Sequence, residues 1–210
     1  MRIIQVKTPA GAARAADEGA KALRVGKLVG FGTETVYGIA AAADNPQAME
    51  RLRELKSRPK RPFSVHLGRP DDARRYVGEL PGAGERMVRK LWPGPVTLVA
   101  PAGGRQAEEA LQRAGLYEVL CHNDLIGLRC PDEEVARRML SAVDGPVVAP
   151  SANLAGEPSP RTAEQVARAF DGRIDLLIDT GPTRYGTDST IVRLSPDGSW
   201  RVVRRGVYDT

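Results

Sequence analysis

The sequence of 210 residues predicts an α/β fold with a mixed sheet flanked by helices, and three observations favour it. Stretches with apolar residues at helical spacing alternate with short apolar runs that are typical of buried strands. The C-terminal segment has the pattern of a β-hairpin, which adds an antiparallel pair. The chain has 22 Gly and 16 Pro but only three Phe and two Trp, so its core must be aliphatic and interrupted by many turns.

Two helices have clear start signals. Thr8-Pro9 combines an N-cap residue with proline at the first helical position, and alanine and leucine then recur at helical spacing until Gly26. Asn45-Pro46 repeats this signal, and the second helix ends before Pro59. Further amphipathic helices are predicted at residues 83–91, 132–140 and 162–170.

Strands are predicted between these helices. The short apolar runs are residues 28–31, 63–67, 96–100, 126–129, 147–149 and 176–179. Residues 189–194 and 200–204 flank the turn-rich segment 195–199 and predict the hairpin. Residues 101–105 and 153–161 are predicted to be surface loops of a single domain that spans residues 1–210.

Composition and charge restrict the class of protein. The chain is 41% hydrophobic and 27% charged, with a formal net charge of +5, which is compatible with phosphate-bearing ligands, with nucleic acid or with plain solubility. Cys121 and Cys130 form no CxxC pair, so we expect reduced thiols rather than a zinc site or a disulfide framework. The sequence has no signal-peptide core and no apolar run near the ~18 residues of a membrane span, which predicts a cytoplasmic protein without membrane association.

Two pairs of polar residues at i, i+2 spacing are candidates for ligand binding. Lys56 and Arg58 follow a helix end and would point the same way along an extended segment, so they could grip one polyanion; they could equally be exposed cations at a helix C-terminus. Ser151 and Asn153 follow a predicted strand, where α/β proteins place ligand contacts, although the same residues also form local turns.

Two hydroxyl-rich loops, residues 33–38 and 186–190, could contact a small polar ligand or serve as simple turns. His66 lies on an apolar strand, where a core or edge histidine is the usual interpretation. The sequence contains neither a P-loop nor a Gly-x-Ser-x-Gly motif, so any use of nucleotide is not of the P-loop kind.

In order, seven segments resemble the YrdC family of threonylcarbamoyl-adenylate synthases, in its short single-domain form. They are Gly32-Thr33-Glu34-Thr35-Val36-Tyr37-Gly38, Lys56-Ser57-Arg58-Pro59, Leu91-Trp92-Pro93-Gly94-Pro95-Val96-Thr97, Gly127-Leu128-Arg129-Cys130-Pro131, Ala149-Pro150-Ser151-Ala152-Asn153-Leu154, Ser189-Thr190 and Arg204-Arg205-Gly206. The resemblance implies a twisted α/β sheet with a concave basic face. It also implies a nucleotidyltransferase that makes threonylcarbamoyl-AMP and pyrophosphate from L-threonine, bicarbonate or CO₂ and ATP, with Mg²⁺, and passes the adenylate to a partner enzyme that modifies tRNA.

The resemblance also implies the residues of the site. Lys56 and Arg58 would supply catalytic charge. The ATP contacts would be Arg58, Ser151, Asn153, Ser159 and Arg204, and the L-threonine contacts would be Thr35, His66, Arg129 and Ser189. Arg129 would clamp the α-carboxylate of the amino acid as a bidentate pair.

The sequence departs from the family in three places. Gly32 stands where proline is usual, Lys60-Arg61 adds two positive charges, and residues 114–126 fit poorly, with Leu125 where threonine is common. Two other functions stay open at this point. The net charge of +5 and the basic cluster of Lys56, Arg58, Lys60 and Arg61 are compatible with a non-catalytic module that binds duplex RNA. The other is a carbamoyl adenylate synthase that depends on carbamoyl phosphate.

Overall fold

The computed structural model describes residues 1–57, 62–103 and 105–208, so Arg58 and the basic residues Lys60 and Arg61 lie outside the described residues. The strands of this part are β1 (Arg2–Gln5), β2 (Val29–Phe31), β3 (Gly38–Ala42), β4 (Val65–His66), β5 (Val96–Pro101), β6 (Cys121–His122), β7 (Leu125–Arg129), β8 (Val147–Val148), β9 (Leu176–Asp179), β10 (Thr190–Leu194) and β11 (Trp200–Arg204). The α-helices are α1 (Pro9–Arg24), α2 (Pro46–Leu55), α3 (Arg74–Val77), α4 (Gly82–Leu91), α5 (Arg105–Arg113), α6 (Tyr117–Leu120), α7 (Glu134–Ser141) and α8 (Ala163–Phe170), and Pro70–Ala73 form a 3-10 helix.

All strands belong to one open sheet with the order β1-β9-β2-β3-β8-β4-β7-β5-β10-β11, and β6 pairs with β7. The pairs β1–β9, β9–β2, β4–β7 and β5–β10 are parallel, and the other pairs are antiparallel. The predicted mixed sheet is therefore confirmed, and so is the C-terminal hairpin of β10 and β11. Within the described ranges, every helix is too short or too polar to cross a bilayer.

The predicted helix starts are observed because their capping residues satisfy free backbone donors. Thr8 Oγ1 accepts from Gly11 N over 3.0 Å, and Asn45 Oδ1 accepts from Ala48 N over 3.0 Å. Thr162 and Gln165 form a capping box at the start of α8. Helix α7 was predicted to begin at Asp132 but begins at Glu134, because Glu133 is its N-cap.

Alternate residues along the strands enter two different cores, one on each face of the sheet. Val29 and Val147 pack with α1 and α7, whereas Leu28 and Val148 belong to the core that contains α2 and α8. Helices α1 and α7 touch closely at Gly19, where an added Cβ would lie 2.5 Å from Met139 Sδ. These two helices cover β1, β9, β2 and β3 and leave the other half of that face open for a cleft.

The structure adds elements that the apolar pattern did not indicate. Strand β3 is Ala-rich, with low intrinsic strand propensity, but it is buried between β2 and β8. Strand β1 lies at the sheet edge and is mostly exposed, and α5 buries only Leu111 of the residues described on it, so neither shows an apolar stripe. The strand predicted at residues 63–67 is only two residues long in the structure, Val65–His66. Both residues are buried, so the predicted alternation of buried and exposed side chains is not observed.

Candidate active site

A cleft of about 500 Å³ lies over β4, β7, β5 and β10. The residues in these strands, or directly before them, that line the cleft are two apart in sequence: Ser64 and His66, Thr97 and Val99, Leu125, Gly127 and Arg129, Ser189 and Ile191. This spacing puts them on one face of the sheet, while intervening residues such as Val65, Leu98 and Leu128 fill the core beneath. The pairing of His66 with Val147 places the cleft on the same face as α1 and α7.

Lys56 joins the two polar pairs that the sequence singled out. It follows α2, and its Nζ donates to the Ser151 carbonyl oxygen over 2.8 Å and to Asn153 Oδ1 over 2.9 Å; it also contacts the Asn153 carbonyl oxygen. Ser151 Oγ donates to the same Asn153 Oδ1 over 2.7 Å, and Asn153 Nδ2 donates to the Glu157 carbonyl oxygen over 2.6 Å. The ammonium group of Lys56 thus orients the serine and the asparagine at the cleft.

Arg129, at the end of β7, is held from behind by the loop between β2 and β3. Its Nη2 donates to Glu34 Oε1 over 2.9 Å and to Thr35 Oγ1 over 2.7 Å. Arg129 is 5% exposed and Glu34 is 2% exposed. Thr33 Oγ1 donates to the Val36 carbonyl oxygen and lies 2.9 Å from Thr35 Oγ1, so its single proton is used and Thr35 is the donor to Thr33. A directed chain of hydrogen bonds therefore fixes Arg129.

Arg204, at the end of β11, is anchored to the segment before β10. Its Nη2 donates to the carbonyl oxygen of Ser189 over 2.8 Å and to Ser189 Oγ over 3.0 Å, and Ser189 Oγ is 2.9 Å from Thr97 Oγ1. Burial lowers the pKa of Arg204, the Asp188 carboxylate opposes that change, and the positive charge of Arg129 adds to it. The two arginines are thus close enough to interact electrostatically.

Asp188 and Ser159 form a second contact at this end of the cleft. Ser159 Oγ donates to Asp188 Oδ1 over 2.9 Å, and Asp188 Oδ2 lies 3.9 Å from Arg204 Nη1. Of the described residues that line the cleft, Asp188 is the only one with an acidic side chain. One carboxylate therefore faces the cleft beside the cations.

His66 is a neutral imidazole on the floor of the cleft. Burial, together with the positive charge of Arg129, lowers the pKa of His66 to about 3. Its Nδ1 lies 3.3 Å from the Ser64 carbonyl oxygen, which can only accept, so Nδ1 carries the proton and Nε2 carries the lone pair. His66 also packs edge-on against Phe31, with ring centroids 6.5 Å apart.

The structure brings most of the predicted site residues together. Those that line the cleft are Lys56, His66, Arg129, Ser151, Asn153, Ser189 and Arg204. Thr35 and Ser159 are not among its described lining residues; Thr35 touches Arg129 and Ser159 touches Asp188, so each meets the cleft through a neighbour. Arg58 lies outside the described residues. The ligand assigned to each residue stays a prediction.

Three contributors were not predicted: Glu34, Thr97 and Asp188. Each lies inside a segment that the sequence had already indicated, namely the hydroxyl-rich loops and the Trp-Pro-Gly-Pro stretch. Nothing in their spacing distinguishes them, because each acts on a residue at least fifteen positions away in the chain. Gly32 stands where the family usually has proline, yet the loop of residues 33–36 is held by its own hydrogen bonds, such as that from Thr33 Oγ1 to the Val36 carbonyl oxygen. At Gly32 the Thr180 hydroxyl occupies the space that a Cβ would need.

Fold and site together define an α/β protein with an open mixed sheet and a cleft lined by cations, hydroxyls and one carboxylate. The family model Sua5_yciO_yrdC, described as "Telomere recombination", matches residues 21–206. The chain belongs to the Sua5/YciO/YrdC family, which confirms the resemblance carried by the seven segments.

Individual relatives agree with this membership. A threonylcarbamoyl-AMP synthase from Pyrococcus abyssi is 37% identical over 174 residues, which cover 82% of this chain and 48% of the relative. One from Bacillus subtilis is 36% identical over 181 residues, or 86% of this chain and 50% of the relative. The crystal structure of P. abyssi Sua5 complexed with L-threonine matches with a TM-score of 0.79 and 34% identity, over 98% of this chain and 57% of that one. The chain thus spans about half the length of these two curated relatives.

Proposed function

We propose that this chain forms threonylcarbamoyl-AMP and pyrophosphate from L-threonine, bicarbonate or CO₂ and ATP. The observation that carries the proposal is the convergence of Lys56, the Ser151–Asn153 pair, Arg204 and Arg129 on one cleft. The names of the curated relatives support the reaction, and the L-threonine complex of P. abyssi Sua5 supports the amino acid. They favour neither an RNA-binding module without catalysis nor a carbamoyl-phosphate-dependent synthase.

ATP would lie at the end of the cleft formed by Arg204 and the Ser151–Asn153 pair. The hydroxyl of Ser151 and the amide of Asn153 are small polar groups that fit beside phosphate and ribose, and Lys56 holds both in place. Arg204 keeps its guanidinium fixed against Ser189. The resemblance also assigns Arg58, which lies outside the described residues, to the phosphates and to catalysis.

L-threonine would lie at the other end, with its α-carboxylate on Arg129. His66 and Ser189 face the same space and offer a neutral imidazole nitrogen and a hydroxyl to the amino acid. Thr35 would contribute through Arg129, to which it is hydrogen-bonded. Since Ser189 contacts Arg204 as well, one residue joins the two ends of the cleft.

The reaction joins the two substrates in two steps. The ammonium group of L-threonine first releases one proton to solvent. Its nitrogen then forms an N–C bond with CO₂ while one C–O π bond opens and a second proton leaves to solvent, which gives a carbamate. A carbamate oxygen then attacks the α-phosphorus of ATP, a P–O bond forms, and the bond to pyrophosphate breaks. Both reactants are anionic, so the fixed cations lower their repulsion, and holding them in one cleft replaces a bimolecular encounter.

Mg²⁺ would enter with ATP, and the cleft fits it. Mg²⁺ is usually held by substrate phosphates, water and one or two carboxylates rather than by an all-protein cage. Consistent with this, the described residues contain no cluster of three or more metal-ligating side chains, but Asp188 presents a carboxylate beside Ser159 and Arg204. Asp188 would ligate the ion. The bound ion supplies charge neutralisation at the phosphates.

The adenylate would serve a partner enzyme that transfers the threonylcarbamoyl group to an adenosine of tRNA. Contact with tRNA or duplex RNA is part of this proposal, and the net charge of +5 is compatible with it.

Pyrophosphate release tests the proposal. Purified protein should release pyrophosphate from ATP only when L-threonine and bicarbonate are both present. Equal rates with L-serine, or with no amino acid, would contradict the threonine assignment. Activity with carbamoyl phosphate alone would favour the carbamoyl-phosphate-dependent synthase, and salt-sensitive binding of duplex RNA without any binding of ATP would favour the RNA-binding module. Arg58→Ala should abolish most turnover while circular dichroism stays unchanged.

A further inference from the structure

Glu34 places a negative charge directly behind Arg129, away from solvent. The two side chains are 1% and 6% exposed, and their closest N–O distance is 2.9 Å. Of the described residues, Arg129 lines the cleft and Glu34 does not. Glu34 Oε2 and Arg129 Nε also have no hydrogen-bond partner among the described residues. A buried ion pair with unsatisfied atoms adds little to stability, because desolvation offsets the attraction. The effect of Glu34 is therefore on the net charge that Arg129 presents to the cleft.

The other end of the cleft has a different charge balance. Arg204 and its acidic neighbour Asp188 are 3.9 Å apart, and their side chains are 44% and 37% exposed. Solvent screens such a pair, so Asp188 compensates the charge of Arg204 only weakly. Arg129, by contrast, is compensated at short range in a site of low dielectric. The cleft is thus close to neutral at Arg129 and positive at Arg204.

We propose that Glu34 is a specificity-determining residue that reserves the Arg129 end for a single carboxylate and leaves the phosphate chain to the Arg204 end. The inference rests on the proposed function, because it concerns which substrate each arginine receives. An amino acid brings one carboxylate together with its own ammonium group, so it adds no net charge beside Glu34. A sulfate or a phosphate chain would place two or more negative charges on Arg129 itself, where the buried carboxylate repels them at short range. The carbamate formed later carries its added charge at the amino nitrogen and not on the carboxylate that Arg129 holds.

The competition of sulfate with L-threonine tests this inference. Calorimetric titrations measure the Kd for L-threonine at increasing sodium sulfate, with sodium chloride at the same ionic strength as the screening control. In the wild type, sulfate should leave this Kd within about twofold of the chloride control. Glu34→Gln keeps an acceptor for Arg129 Nη2 but removes the charge, so sulfate should compete and raise the apparent Kd at least about tenfold. The KM for ATP should stay within about twofold of the wild type in this variant, because the Arg204 end is unchanged.

Glu18→Gln is the matched control, since it removes a carboxylate that pairs with Arg2 over 3.1 Å at the surface, and it should behave as the wild type. Equal sulfate competition in wild type and Glu34→Gln overturns the role of Glu34 and leaves the proposed function standing. A wild type that binds no L-threonine overturns both. If Glu34→Gln does not fold, the wild-type titration still decides, because competition by sulfate there contradicts the exclusion and its absence supports it.

Discussion

Lys56 Nζ donates a hydrogen bond to Asn153 Oδ1 over 2.9 Å, although the two residues are 97 positions apart in the chain. The same ammonium group contacts the carbonyl oxygens of Ser151 and Asn153. The lysine thereby fixes the loop after β8 at the rim of the cleft. Its role in the site includes the shape of this loop as well as its charge.

Replacing Lys56 by methionine should therefore reduce both stability and activity. The change leaves the loop oxygens without their donor, so we expect the free energy of unfolding in urea to fall by about 1–3 kcal/mol. Pyrophosphate release should fall to a small fraction of the wild-type rate. Lys27→Met removes the same charge from an exposed position and is the control. Equal stability of the two variants would contradict the anchoring role of Lys56.

Ser159→Ala should weaken the ATP end of the cleft. The variant loses the hydrogen bond of 2.9 Å that orients Asp188 Oδ1, the proposed Mg²⁺ ligand, beside the phosphate site. We expect the KM for ATP to rise by about five- to tenfold, while the Kd for L-threonine changes little. Ser199→Ala removes a similar bond, from Ser199 Oγ to Asp197 Oδ1, in the turn between β10 and β11. That variant should keep the wild-type KM, and a similar rise there would point to a general loss of stability.

Arg204→Lys should lower kcat/KM at least about tenfold, because lysine cannot reproduce the fork that Arg204 forms. The guanidinium donates to the Ser189 carbonyl oxygen from both Nε and Nη2, over 3.2 and 2.8 Å, and to Ser189 Oγ over 3.0 Å. Arg201→Lys changes an exposed arginine on the same strand and should be neutral. Steady-state kinetics with both substrates measures the effect. Wild-type kinetics in Arg204→Lys would remove Arg204 from the site.

His66 should make the fold sensitive to acid. Burial and Arg129 lower its pKa from 6.5 to about 3, so between these values the unfolded chain binds a proton that the folded chain does not. The stabilising contribution is complete above pH 6.5 and is lost as the pH falls from 6.5 towards 3, by at most about 1.4 kcal/mol per pH unit.

Urea unfolding at pH 7 and pH 5 measures this dependence. The loss of stability between the two pH values should be smaller in His66→Gln than in the wild type. His122→Gln removes the other histidine, which is exposed, and should keep the wild-type dependence. The same loss in His66→Gln and wild type would show that His66 titrates normally.

Much of the fold could be predicted because its signals are local. Thr8-Pro9 and Asn45-Pro46 mark helix starts by satisfying nearby backbone donors, and those helices begin where expected. Strand β3 and helix α5 could not be found in this way. The first is a strand because its neighbours enclose an Ala-rich segment, and the second shows little apolar pattern on the residues described.

The sequence alone determined the Ser151–Asn153 pair, the polar loops and the family, since these depend on residue identity and short-range geometry. Ser151 and Asn153 therefore face the cleft as their spacing indicated. The extended segment predicted to begin at Lys56 is wrong, because Lys56 caps α2 in a helical conformation and Ser57 has a left-handed φ of 47°. Only the tertiary structure decided that Lys56 orients this pair and that Glu34 neutralises Arg129. These contacts join positions about a hundred residues apart, and their energies depend on burial and dielectric, which exist only once the sheet has assembled.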